Sequence, residues 1–573
     1  MKRTILLAIG VAVFVALAAV AGTRRALPGL AFSGVDVPTS MADKSRLIVS
    51  QEARWRGRRF PIALHAFARP GDVVDGQVFG QMRDLRGQPL TDASGPRLCN
   101  SLDGASLIQA EGSWWSVSHG ECQPGVLQLS RVEQDDEGIL TLASTSPVDL
   151  ASVGGGNLFC AGEDTPWGSH LAAEEYEVDA SRLAEDGTDP GNHQDWNAMA
   201  ALFGGSLRGV DPYNFGWVDE VLVLDPEGAT LVTKRTAMGR FSHELAKVLP
   251  DGRTVYLSDD GNNGGFFLFV ADVAGDLSVG ELYAARWGAG PDGALGALVW
   301  VALGRASEAQ IAPWLARKPR FEDLFERVEP VEGLCPQGFG SVNTAWKHEC
   351  LKVVPGAELA ASRLETRRYA ALLGATTEFS KAEGLAFDPA TPRLFAAISR
   401  IQRGMLEADP TWDAGGPDHI RLPPNPCGVV WGMSLGTAVD STGQPIDSAF
   451  VAGRVDAVTA GEPKEYSGAL EHNTCDLEAI AGPDNLEFVP QAGLLLIAED
   501  TSAHDNNALW ALDVANGSLQ RVLTVPWAGR SPACSGTRTW AGAATSPCPC
   551  RTPSTPGAIP GGPIRWRAPT RAA

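Results

Sequence analysis

The sequence predicts an all-β protein, a six-bladed β-propeller with a partly helical insertion. Two observations carry that reading. First, three segments repeat one pattern: residues 243–260, 382–399 and 484–500. Each has a polar start, an alternating apolar strand, a Pro-containing turn and a second strand that ends in polar residues. Such a unit is a hairpin, and its recurrence suggests the blades of a propeller. Second, Gly (64) and Pro (39) are abundant and Lys is scarce, which favours short strands joined by turns over long helices. In a hairpin the start of the first strand and the end of the second lie at the same end. Glu244 and Asp259, Glu383 and Ser399, and Asp484 and Asp500 should therefore each meet at one rim. If the blades share an orientation, these polar groups gather on one face.

The elements follow in order. Residues 1–21 read as a signal peptide: Lys2 and Arg3, an apolar run over 5–20, then Ala19-Val20-Ala21 as a small-residue cleavage site. The run is slightly short for a membrane span, so cleaved export is the reading, with an uncleaved anchor as the alternative. The mature protein is expected to be periplasmic or extracellular, and monomeric. Residues 22–45 read as a linker, and 46–530 as the propeller. Helix-forming composition over 306–315, 321–327 and 357–373 marks an insertion between blades at about 285–378. From about Ser531 the composition changes: no Asp, Glu or Lys, several Arg, many Pro and three Cys. That tail, 531–573, reads as disordered or out of frame, with a functional basic tail as the alternative. Without its final strands the ring is expected to expose an unpaired edge.

Charge and cysteines narrow the function. The net charge of −21 argues against nucleic acid and fits a cation-binding protein. Export permits disulfides. Cys99 with Cys122 and Cys335 with Cys350 are spaced to close short loops. Cys475 either pairs with Cys427 or mimics a metal site. No CxxC pair occurs, which disfavours a zinc ribbon. Within residues 157–175, Cys160 precedes a tight polar turn and the pair Glu174-Glu175. A thiolate prefers a softer transition metal and carboxylates prefer calcium, so this mixture suits a site holding both kinds. The bland alternative is a buried structural cysteine beside a solvated acidic turn.

These residues also carry a family resemblance. Cys160-Ala161-Gly162, Thr165-Pro166-Trp167-Gly168 and Glu174-Glu175 resemble a signature of the PhoX-type alkaline phosphatases. Gly239 to Glu244, Tyr256 to Asp260, Leu372 to Thr377 before Glu383, and Gly482 to Leu486 resemble later motifs of that family in the same order. Ser116 to Glu121 is a weaker echo of an early one. The resemblance implies a β-propeller whose iron and calcium cluster hydrolyses small-molecule phosphate esters. It implies Cys160 as an iron ligand, and Glu174, Glu175, Glu244, Asp259, Asp260, Glu383 and Asp484 as ligands of iron or calcium. Lys381 and His243 are the candidate catalytic groups, His243 having strand capping as its alternative.

Three departures stand out. Lys381-Ala382-Glu383 replaces the family's Arg-Pro-Glu, the loop 501–507 holds no Lys or Arg, and the leader lacks a twin-arginine pair. A calcium-binding propeller without catalysis and a calcium-dependent lactonase are therefore the competing readings. Neither of these requires the thiolate of Cys160.

Overall fold

The strand Phe266–Val273 shows why this chain forms stacked sheets. Its run Phe266-Phe267-Leu268-Phe269-Val270-Ala271 is apolar at every position, without alternation. Phe266, Leu268 and Val270 enter one core cluster, and Phe267, Phe269 and Ala271 enter another. A strand buried on both faces reads as a continuous apolar run, because each face packs against a neighbouring sheet. The computed structural model, which describes residues 29–66, 68–136 and 138–527, is a β-propeller built in this way.

Five four-stranded antiparallel units follow one another. The first is Leu102–Ala110, Ser113–Gly120, Val126–Gln134 and Leu140–Pro147. The second is Phe159–Asp164, His170–Glu174, Val218–Val223 and Thr230–Lys234. The third is His243–Val248, Thr254–Asp259, Phe266–Val273 and Asp276–Gly288. The fourth is Ala382–Asp388, Arg393–Ile398, Val429–Gly436 and Val451–Ala460, and the fifth is Pro483–Val489, Leu494–Glu499, Ala508–Asp513 and Leu519–Thr524. The first strand of each blade is innermost and packs against the first strand of the next.

These five units are those of the described residues. The span between the third and fourth blades, where another blade would fit, is used differently. Gly296–Ser307 returns beside Asp276–Gly288 and bridges to Val451–Ala460, joining the two blades into a nine-stranded sheet. Helix Glu308–Leu315 follows, opened by a capping box between Ser307 and Gln310. A three-stranded sheet (Phe325–Val328, Gly340–Thr344, Lys347–Val353) and helices Glu358–Leu364 and Thr366–Leu372 complete the excursion.

Two expectations change. The last blade is complete at Thr524, and Ile48–Val49 pairs with its outer strand (Ile48 with Thr524, Val49 with Leu523). The edge expected to lie open is thus partly covered by the start of the chain. Residues 29–45 are not an unattached linker either. Ala31–Phe32 pairs with Glu52–Trp55, and buried Lys44 forms an ion pair with Asp505. The proposed signal peptide and the 531–573 tail lie outside the described residues. Cys99–Cys122, Cys335–Cys350 and Cys427–Cys475 are disulfides, and Cys160 is in none. Asp251 and Asp388 are turn formers, accepting backbone N–H bonds from Arg253 and Thr254, and from Ala390.

Two adjacent arginines tie the excursion to the propeller. Arg367 forks onto Asp259 (2.7 and 2.8 Å) and reaches Glu177 at 2.7 Å. Arg368 holds Glu349 at 2.7 Å, Glu365 at 2.8 Å and Asp179 at 3.1 Å, with almost no solvent contact. Removing one partner of a buried ion network leaves the others charged and unpaired. Arg368→Ala should therefore cost about 3–5 kcal/mol, read as a lower denaturant midpoint. A loss under about 1 kcal/mol would mean that the network carries no stability.

Candidate metal centre

In every blade the innermost strand is irregular at the same place. Its pairing with the second strand skips register between Leu102 and Ala105, Phe159 and Gly162, His243 and Ala246, Ala382 and Leu385, and Pro483 and Leu486. A bulge of this kind bends the strand and re-aims a side chain. The second residue of each strand falls within it: Asp103, Cys160, Glu244, Glu383 and Asp484. The residue just beyond the end of each second strand is Glu121, Glu175, Asp260, Ser399 or Asp500. These two sets converge at one end of the propeller, and all but the more deeply buried Asp103 line a cavity of about 850 Å³.

At its base, Cys160 Sγ lies 2.8 Å from Asp103 Oδ2 and 2.9 Å from Glu244 Oε2. Three overlapping groups have ligand atoms mutually close enough to share an ion: Asp103, Glu121 and Cys160; Cys160, Glu175 and Glu244; Glu244, Asp260 and Glu383. Lys381 Nζ sits 2.5 Å from Asp260 Oδ2 and 3.3 Å from Glu383 Oε1. Ser399 Oγ donates to Glu383 Oε1 at 2.8 Å, and Tyr176 OH to Asp260 Oδ2 at 2.9 Å.

Electrostatics show what is missing from this donor set. Burial first, and then the carboxylates of Asp103, Glu175 and Glu244, push the Cys160 thiol well above its ordinary value. Burial and neighbouring acids likewise raise Glu175 and Glu244 well above the carboxylate range. Glu383 rises to about 7, chiefly by burial and the charge of Asp260. Burial pulls the Lys381 ammonium down, but Asp260, Glu383 and Glu175 outweigh it and raise its pKa. One lysine does not neutralise so many acids: Asp260, beside it, is lowered, whereas Glu175 and Glu244 are pushed towards the protonated form unless cations enter. Glu244 Oε1 and Asp260 Oδ1 are buried and accept no hydrogen bond. A thiolate with several carboxylates is a donor set for a softer metal beside harder ones, so these residues fit the metals that the sequence implied.

The Cys-Ala-Gly signature has a steric cause. The His119 ring fills the space over the bulge, with Nδ1 2.6 Å from the Cys160 carbonyl oxygen. A Cβ on Gly162 would lie 2.3 Å from His119 Cε1, so only glycine fits. Burial lowers the His119 pKa to about 4, which keeps the ring neutral.

Three residues expected in the site lie outside it, for one reason. Successive side chains on a strand point to opposite faces, so only one of two adjacent groups can face the cavity. Glu175 faces it. Glu174 instead accepts the amides of Asn157 (3.0 Å), Gly216 (2.7 Å) and Trp217 (3.0 Å), with Lys234 at 3.2 Å. Asp260 faces it, whereas Asp259 accepts Gly265 N at 2.7 Å and the Arg367 fork. Glu244 faces it, whereas His243 stacks on Phe241 with centroids 3.8 Å apart and bonds Gly239 O at 3.0 Å. Burial drives the His243 pKa to about 3, so it is a neutral packing residue without access to the cavity.

Sequence reasoning missed Asp103, Glu121 and Asp500 as donors, and Arg400 on the cavity wall. Asp103 was findable, since it holds the same place in its hairpin as Glu244 in the third. Trp167 is a packing residue whose indole N–H donates to Glu220 at 2.8 Å.

A model of the family described as alkaline phosphatase PhoX matches residues 135–534. The chain belongs to that family. Among solved structures it is similar to Pseudomonas fluorescens PhoX in complex with vanadate, described as a transition-state analogue. Identity is 17%, the TM-score is 0.54, and 87% of this chain and 90% of that one are covered. A more distant likeness is to the periplasmic gluconolactonase PpgL of Pseudomonas aeruginosa, at 12% identity and TM-score 0.29, covering 76% and 91%. No curated protein matches the chain in sequence. The PhoX membership concerns the chain, and the likeness to Pseudomonas fluorescens PhoX at this identity concerns the fold.

Two substitutions separate donors from anchors. Asp103→Asn should lower metal content, measured by elemental analysis of the purified protein. Glu174→Gln should leave metal content near parental while destabilising the fold by about 1–3 kcal/mol, because it weakens a buried, charge-assisted set of bonds. Metal loss in Glu174→Gln at unchanged stability would place Glu174 in the metal site after all.

Proposed function

We propose that the chain is an exported, metal-dependent phosphatase that hydrolyses phosphate monoesters, with an iron and calcium cluster as its cofactor. The observation that carries this reading is the ring of one thiol and several carboxylates around a single half-buried lysine. It sits at the end of the propeller where all five inner strands bring their bulges. Membership of the PhoX family supplies the reaction class. Among the described residues no helix is long and apolar enough to cross a membrane, and the N-terminal leader supports export.

Cys160 would hold the iron, together with neighbours among Asp103, Glu121, Glu175 and Glu244. Glu383, Asp260, Asp484 and Asp500 would complete the calcium positions. When bound, such cations polarise phosphoryl oxygens, lower the pKa of bound water and neutralise charge that develops in the transition state.

The chain's own residues do the rest. Lys381, anchored by Asp260 and Glu383, presents an ammonium to the phosphate as a point charge, without the bidentate fork of an arginine. Arg400 lines the same cavity and offers a second cation, which the loop 501–507 does not supply. Tyr176 and Ser399 orient Asp260 and Glu383 by hydrogen bonds.

Two measurements test the reading on protein reconstituted with iron and calcium. Cys160→Ser should remove iron and any visible absorption band while calcium falls less, and unchanged iron would refute the ligand assignment. Lys381→Ala should lower kcat/KM for p-nitrophenyl phosphate by about 10–100-fold and weaken inhibition by phosphate, the loss expected for one charged contact. Lys381→Arg should retain or raise turnover. Parental behaviour in both lysine variants would remove Lys381 from the phosphate site.

A further inference from the structure

A second cavity of about 730 Å³ opens from the metal centre and shares Tyr176, Asp260 and Lys381 with it. Its far wall comes from the excursion between the third and fourth blades and from the segment after the fourth blade's second strand. Lys347, at the tip of the turn between Gly340–Thr344 and Lys347–Val353, lines it, as do Arg403 and Trp412.

The charges on this wall divide into two kinds. Of its acids, Glu177, Asp179 and Glu349 are each committed to Arg367 or Arg368, and Glu329 is exposed to solvent. Lys347 and Arg403 meet the Trp412 ring, at 5.6 and 4.6 Å from its centroid, and among the described residues they have no carboxylate ion pair. Both cations stand on left-handed backbone, φ 72° for Lys347 and 57° for Arg403, as does Lys381 at 55°. That region is disfavoured for side chains of this size, and strain of this sort collects at binding sites. Three lysine and arginine residues from separate segments are thus held in an unfavourable conformation around one cavity, and two of them lack an anionic partner.

We propose that this chamber is a leaving-group subsite, and that Lys347 and Arg403 select phosphate monoesters whose leaving group carries a second anionic group. The proposal rests on the phosphatase reading, because the reacting phosphoryl group must sit at Lys381 and the metal centre. The leaving group then extends past Tyr176 and Lys381 into the chamber. Its own anion meets two cations that form no carboxylate ion pair among the described residues, beside the aromatic face of Trp412. A neutral leaving group gains nothing from them. Electrostatic selection of this kind weakens as salt rises.

Paired probes test this without requiring turnover. Hexylphosphonate and hexane-1,6-bisphosphonate share a chain and one phosphonate and differ only in the far anion. Calorimetric titration of the metal-loaded full chain at low salt should give the bisphosphonate at least about tenfold tighter binding, as expected for added charge-assisted contacts. The ratio should shrink as salt rises. In K347Q/R403Q, which keeps side-chain bulk and removes both charges, the ratio should fall towards one. Equal binding of the two probes by the parent, or a ratio that survives in the double variant with intact folding by circular dichroism, overturns the subsite. Failure of hexylphosphonate to bind the parent, together with no hydrolysis of hexyl phosphate, overturns the phosphatase reading instead. As a second line, charge reversal by K347E should push the ratio below that of K347Q, and no difference between these single variants would also count against the proposal.

Discussion

The arrangement depends on one constraint: five inner strands deliver four carboxylates and a thiol to the same end of a propeller, where they repel one another unless cations lie between them. Asp103, Cys160, Glu244, Glu383 and Asp484 each occupy the second position of an inner strand, inside a register skip. Regular pairing would leave these side chains on the ordinary alternation of the sheet. The bulges turn them inwards, and cations bound there, as proposed, would offset the resulting repulsion. The ligand set is thus a property of the repeat, used once per blade, more than of any single motif.

A second group of acids stabilises the same rim in the opposite way. Glu174, Asp259 and Glu499 each end the second strand of a blade, and none of them faces the cavity. Glu499 accepts the amides of Ala481 and Ala508, both at 2.8 Å, and the Trp510 indole N–H at 2.7 Å. Like Glu174 and Asp259, it collects backbone donors that the chain leaves unpaired where it bends away from the sheet. Such carboxylates are satisfied by hydrogen bonds and need no metal. The rim therefore holds two populations of acids one residue apart in sequence, one that collects backbone donors and one that faces the cavity.

That one-residue spacing explains what the sequence could and could not reveal. The hairpin repeat, the turn residues and the rim that gathers Glu244, Glu383 and Asp484 were legible, because they follow from strand alternation and turn chemistry; two disulfides were legible from loop spacing, and Cys427–Cys475 was left open against a metal site. The choice between Glu174 and Glu175, or between Asp259 and Asp260, was not. It is set by where each second strand ends, and strand ends are decided by long-range partners such as Arg367 and the Trp217 amide. Asp103 escaped notice because its hairpin carries serines and tryptophans where the others carry Pro-containing turns. The excursion was legible only as a helical insertion, because the outer strand Gly296–Ser307 joins two blades and leaves the span to a small sheet and helices, a tertiary outcome that no local pattern encodes.

The outer edge of the last blade and the site are coupled through the first residues described. Ile48–Val49 completes the outer edge of the last blade, and Lys44, just before it, reaches the loop beside the cluster. There Lys44 pairs with Asp505, while Asn506 Nδ2 donates to Lys44 O at 2.8 Å and to Val525 O at 2.7 Å. Asp500, Thr501, His504 and Asp505 all border the metal cavity. The loop that the sequence left without a cation thus receives one from more than four hundred residues away, spent on Asp505 and not on substrate. Metal binding to the folded rim favours every contact that forms the rim, including this latch. Cations at the cluster and the strand at residues 48–49 therefore act on the same equilibrium, one by neutralising the centre of the propeller and the other by covering its edge.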